Sequence, residues 1–325
     1  MTWQDIFLAR GELRPIWRCL LAVVLMLVAY VAVGMVLGVV YEGLHWQPPL
    51  LTTLLLVNLL MLPCLLGVFK IMTGVFDRKP LGSAGLTFHQ RAGKEMALGV
   101  ALGTTMMLAV AALERLLGLA TFRATNEPPR QFVAGGAFLL LVLLVAAANE
   151  EMLFRGYAFQ RLVDSVGAIA AVALFSLLFG LSHLANPAHT WVSTVNTVLV
   201  GIPFAIAYLR SRSLWIPIGM HFAWNFIQGF VLGFQVSGLA FPFSLLQAEV
   251  GGADWLTGGR YGPEGGLVAT AVIVLATGYV LVTKRIYVSD GVKRLIAEAE
   301  GSQERKELRE LSLGAGEKPG TSPGD

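Results

Sequence analysis

The sequence predicts an all-α polytopic membrane protein, with about eight transmembrane helices around an intramembrane polar cavity. Three observations carry that prediction. Apolar residues make up 55% of the 325-residue chain and charged residues only 14%, where a soluble domain carries about 25% charged residues. Several apolar stretches approach or exceed the roughly 20 residues that cross a bilayer as a helix. Lys and Arg gather in alternate connections, the pattern of a chain that returns repeatedly to a basic cytoplasmic face.

The elements follow in order. The N-terminal stretch Met1 to Arg18 carries Arg10, Arg14 and Arg18 ahead of a first span at Leu20 to Val40. That run is too long for a signal h-region and has no small-residue cleavage site after it, so it is expected to remain as a helix. The loop Tyr41 to Pro49 has no Lys or Arg. A second span, Leu50 to Phe69, contains Pro63 as a possible kink. A basic connection with Lys70, Arg78, Lys79, Arg91 and Lys94 leads to span three, Glu95 to Leu119. After the loop Ala120 to Arg130, span four is read as one long helix, Phe132 to Val163, with Arg161 and Asp164 at its wet end. Spans five to eight are Ala168 to Leu184, Trp191 to Leu209, Leu214 to Phe234 and Leu267 to Val282. The connection Gln235 to Gly266 is long and Gly-rich. The basic connections alternate, which places both termini in the cytoplasm. Residues 1–285 thus form the membrane domain, and 286–325 form a charged, partly disordered cytoplasmic tail in which Val292 to Leu313 suits a surface helix. Cys19 and Cys64 fall in apolar runs and read as small buried hydrophobes, not as a disulfide or a metal site.

Polar residues in these helices are the expensive feature. A charged side chain near mid-bilayer costs roughly 2.5–3.5 kcal/mol on insertion scales, so it normally faces a partner or a wet cavity. Glu150 and Glu151 end an uninterrupted apolar run. Arg155, one turn after Glu151, can pair with it. Glu150 has no partner in its own helix: it is either solvated at the membrane edge or held as a proton acceptor. Phe179-Gly-Leu-Ser-His183 closes span five, and His221 and Asn225 share a face of span seven. Alone, a helical His is usually a satisfied core residue and a membrane Asn is usually interhelical glue. Two carboxylates, an arginine, two histidines and an asparagine in three spans are a costly set for packing alone. His45, His89 and His189 fall in connections and are assigned no role.

Other chemistries lack their motifs. There is no His-Glu-x-x-His, no Gly-x-Ser-Gly run in a span, and no phosphate-binding Gly-x-x-x-x-Gly-Lys-Ser/Thr. Neither nucleotide nor nucleic acid is expected as a partner. The ordered triple Glu-Glu-x-x-x-Arg, Phe-x-x-x-His and His-x-x-x-Asn resembles the CPBP family of type II CAAX prenyl endopeptidases and bacteriocin-processing or immunity (Abi-like) proteins. The likeness runs from about Leu139 to Phe230, inside a family-like core of about 132–234.

That resemblance implies an intramembrane endopeptidase in a bacterial-type inner (plasma) membrane, acting on a hydrophobic or lipidated peptide. It also leaves a non-catalytic scaffold or immunity role as an alternative. The implied site residues are Glu150, Glu151, His183, His221 and Asn225, with Arg155 as a structural ion-pair partner. Glu150 and His183 would hold and deprotonate a water, and His221 and Asn225 would face the oxyanion. Glu150, His183 and His221 could instead ligate Zn2+ with water in the fourth place, and the sequence does not choose between zinc and a metal-free glutamate site. At about 1.5 Å per residue, Glu150 and His221 are expected in the cytoplasmic half of the membrane, with His183 deeper.

Overall fold

A computed structural model describes residues 6–9, 12–126, 128–294 and 297. Most of the tail, including nearly all of the expected surface helix, lies outside the described residues, as does Arg10. Each of the eight expected apolar segments is helical. They are α1 (Pro15–Gly43), α2 (Leu50–Ile71, continued by a π-helical turn, Met72–Phe76), α3 (Ala92–Leu116), α4 (Pro129–Arg155) with α5 (Tyr157–Val166), α6 (Ala168–Ser182), α7 (Trp191–Ser211), α8 (Trp215–Phe226, continued by a π-helical turn, Ile227–Val231) and α9 (Leu267–Val282). Among the described residues, five helical spans are long and apolar enough to cross a membrane: α1, α2 with its π turn, α3, α4 with α5, and α7. The chain is an all-α polytopic membrane protein, and the described residues confirm five spans of the about eight expected. At 15 residues, α6 rises only about 22 Å, short of the ~30 Å hydrocarbon core.

The outer surface explains the composition. Val39 is 70% exposed and Leu275 74% exposed, and such side chains suit lipid rather than water. Local signals set the helix ends. Proline occupies the first turn of α1 and of α4, where its missing N–H costs nothing. Thr190 and Ser193 close a reciprocal capping box on α7. α2 runs through Pro63 without ending.

Two expectations need correction. Span four is not one helix: it breaks at Gly156, where α5 starts afresh. A Cβ on that residue would fall 2.2 Å from the Phe69 ring and 2.3 Å from the Met152 carbonyl oxygen, so the chain can turn there only as glycine. The connections expected as plain loops contain strands. A short hairpin, β1 (Leu8–Ala9) with β2 (Glu12–Leu13), precedes α1. β3 (Ala120–Ala124) pairs antiparallel with β4 (Leu246–Val250), tying the loop after α3 to the long connection after α8.

Packing forms two main cores. One gathers α1, α2, α5 and α6 around Leu65, Phe69 and Phe159. The other gathers α3, α7, α8 and α9 around Met107, Met220 and Ile273. α3 approaches α8 backbone to backbone, since a Cβ on Gly99 or Gly103 would sit 2.2 Å from the carbonyl oxygen of Ile216 or Met220. Gly99-x-x-x-Gly103 is the small-residue spacing that lets membrane helices touch. α4 lies between the two cores, and Asn149 donates from it to the Asn58 carbonyl of α2 at 2.8 Å.

Candidate active site

The site forms where the end of α4, the end of α6 and the middle of α8 meet. Glu151 is fully buried and its Oε1 accepts from two sides, Arg155 Nη1 at 3.0 Å and His221 Nδ1 at 2.9 Å. Arg155, 1% exposed, also donates to the Gly201 carbonyl of α7 and lies over the Phe179 ring with 4.4 Å to its centroid. The guanidinium is therefore satisfied by a carboxylate, a carbonyl and an aromatic face, the set a buried cation requires. The His221 ring stacks on Phe204 at 5.4 Å between centroids, which fixes its plane.

Glu150 projects past this pair. Its Oε2 lies 3.9 Å from His183 Nε2 and 3.8 Å from His221 Nε2, and it is buried without a hydrogen-bond partner. The tautomers follow from the partners. Phe179 O can only accept, so His183 Nδ1, at 2.8 Å, is the protonated nitrogen. Glu151 likewise takes the Nδ1–H of His221. In the neutral rings both Nε2 lone pairs face Glu150. Three acceptors around one point leave a place for a proton, a water or a cation.

The cavity beside them holds about 30 Å³ of water-accessible space, enough for one or two waters. His183, His221 and Asn225 line it together with Asn196 and Thr197 of α7 and Ser237 and Glu264 of the connection after α8. Its walls come from the side that carries the 235–266 connection and the end of α6, because that connection folds back onto α8. Glu264 accepts from Trp224 Nε1 at 3.0 Å and from the backbone N–H and hydroxyl of Ser237. Beside it, burial and then the charge of Glu264 push the Tyr261 phenol up to about 12, so that hydroxyl stays protonated.

The six side chains lie close together: Glu150, His183 and His221 face one another, Asn225 lines the adjoining cavity, and Glu151 and Arg155 stand behind His221. Glu264, Ser237 and Asn196 were not anticipated. Glu264 and Ser237 sit in a polar connection, where a carboxylate and a hydroxyl raise no flag, while Asn196 carried the same signal as Asn225 without a motif around it. The side chain of His89, which was assigned no role, is buried, with Nε2 3.2 Å from Glu95. His45 and His189 are exposed.

By donor type, Glu150, His183 and His221 fit a zinc set, and the carbonyl and carboxylate behind the two imidazoles are what metal-bound histidines use. The donors are more widely spaced than a closed tetrahedral site, and among the described residues no three His, Cys, Asp or Glu side chains form a ready ion cluster.

Comparison with known families adds one match. Residues 133–227 match the family model described as type II CAAX prenyl endopeptidase Rce1-like. That segment contains Glu150, Glu151, Arg155, His183, His221 and Asn225 and stops short of Ser237 and Glu264. No curated protein and no solved structure matches the chain.

Proposed function

We propose, from the family match over residues 133–227 and the geometry it encloses, that the chain is an intramembrane endopeptidase. Its substrate is a hydrophobic or lipidated peptide, CAAX-like or leader-type, presented from the bilayer. The chain is a multi-pass protein of a bacterial-type inner (plasma) membrane, with both termini cytoplasmic as the alternating basic connections imply. The observation that carries the reading is the unpaired Glu150 oxygen facing two imidazole nitrogens at 3.8 and 3.9 Å beside a water-sized cavity.

Peptide hydrolysis needs a base for water and donors for the developing oxyanion. Glu150 is the base. It accepts a proton as the water oxygen attacks the scissile carbonyl, then returns that proton to the leaving amine. His183 Nε2 accepts the second hydrogen of the water and so aims its lone pair. Asn225 offers an N–H to the oxyanion. His221 joins it through Nε2–H in its protonated form, with Nδ1–H still held by Glu151. Glu151 and Arg155 do not touch the substrate: they fix the ring of His221. If zinc is resident, Glu150, His183 and His221 are the residues that would hold it, and the ion would polarise the carbonyl and acidify the water. Metal analysis of purified wild type beside His183→Ala tests residency: about one zinc per chain, lost in the variant, identifies the ion as bound at this site.

The decisive measurement is cleavage of a prenylated peptide by purified protein in detergent or liposomes. Wild type is expected to turn over, and Glu150→Ala to lose cleavage while keeping its thermal midpoint. Unchanged turnover in the variant would overturn the reading.

A further inference from the structure

Glu264 is a carboxylate walling the same cavity as His221 and Asn225, from a segment that the family match does not reach. We infer that Glu264 is a positioning residue for the proposed peptidase chemistry: through Trp224 it holds the His221–Asn225 face of α8 toward Glu150 and His183. The inference rests on the peptidase reading above.

The contacts argue for it in three steps. First, Trp224 directly precedes Asn225 and lies three residues after His221, and its indole N–H donates to Glu264 Oε2 at 3.0 Å. α8 is only 12 residues long and passes into a π-helical turn at Ile227. Its regular hydrogen-bond ladder thus ends within a turn of Asn225, and a π turn alters side-chain phase. A side-chain tie at Trp224 fixes the rotation of α8 where the backbone fixes it least.

Second, the other carboxylate oxygen is committed elsewhere. Oε1 takes both the N–H and the hydroxyl of Ser237. Ser237 has φ 48°, a left-handed conformation that costs a non-glycine residue about 1 kcal/mol or more and persists only where neighbours enforce it. Third, the backbone of Glu264 is itself anchored. Asn196 of α7 donates from Nδ2 to the carbonyls of Glu264 and Gly266 at 2.9 and 2.8 Å, and its Oδ1 accepts from Thr270 of α9 at 2.6 Å. One residue therefore links α8 and the connection after it through its carboxylate, and the α7–α9 pair through its backbone carbonyl. All three hydrogen bonds to its carboxylate come from neutral donors, Trp224 and the N–H and hydroxyl of Ser237.

A plain staple for the connection would use the same contacts, but it would change stability without changing the chemical step. Kinetics separate the two. Glu264→Gln, Trp224→Phe and the double variant of the full chain are assayed with a prenylated peptide, and thermal midpoints are recorded. A glutamine presents an NH2 either to the Trp224 N–H or to the Ser237 donors, so one half of the tie fails. Each single variant is expected to lower kcat about tenfold with KM changed less than about threefold, and the double variant to be no worse than the poorer single. Wild-type kcat in either single variant, or losses that multiply in the double, would overturn the inference and leave the peptidase reading standing. Should Glu264→Gln fail to fold, Ser237→Ala, which removes one donor only, must still lower kcat more than it raises KM. A wild-type chain that cleaves nothing removes the peptidase reading, and this inference falls with it.

Discussion

Glu151 shows how one buried carboxylate can do structural and chemical work together. It balances Arg155 and fixes the tautomer of His221. Removing one partner of a buried pair leaves an uncompensated charge and costs about 3–5 kcal/mol. Arg155→Leu is therefore expected to lower the thermal midpoint strongly and to abolish cleavage. Asn225→Ala acts differently: it should leave the midpoint near wild type and lower kcat about 10²–10³-fold, the usual loss for one oxyanion donor. Titration of cleavage rate and scanning calorimetry in detergent distinguish them. The site residues on α4, α6 and α8 were legible because a polar group in an apolar run is costly, and cost is visible in a sequence. Glu264 and His89 were not, because in a polar connection a charge carries no such mark. The His221–Glu151 contact was also hidden, since it joins helices 70 residues apart in the chain.

At the scale of elements, the contact between α3 and α8 decides where His221 points. Gly99 and Gly103 meet α8 at backbone distance, and the spacing that permits it is written in the sequence as Gly-x-x-x-Gly. Gly103→Leu should push the helices apart, at a cost of about 1–3 kcal/mol or more for overpacking, and reduce cleavage together with stability. A parallel loss in thermal midpoint and kcat checks this, whereas lost stability with intact kcat would detach α3 from the site. Helix positions were legible from apolar run length, but two features were not. The break at Gly156 depends on Phe69, which belongs to another helix. The pairing of β3 with β4 joins five-residue segments more than a hundred positions apart, and neither segment alternates strongly enough to announce a strand.

For the whole molecule, the apolar composition predicted the solvent and the helical architecture but not the depth of each helix. Run length assigned about eight spans, from the long Phe132 to Val163 down to Ala168 to Leu184 and Leu267 to Val282. Five meet the length needed, while α6 and α9 are 15 and 16 residues long. The site sits beside one of these shorter members, with His183 as the residue that ends α6. A helix about 22 Å tall cannot match hydrocarbon about 30 Å thick, and lipid next to a short segment compresses to meet it. The acyl layer along α6 is therefore expected to thin, which would bring headgroup water closer to Glu150 and His183 on that flank. Cleavage is expected to run faster in liposomes of short-chain phosphatidylcholine than in long-chain ones at equal fluidity. Chain-length independence of the rate would mean that the dimple in the bilayer plays no part in wetting the site.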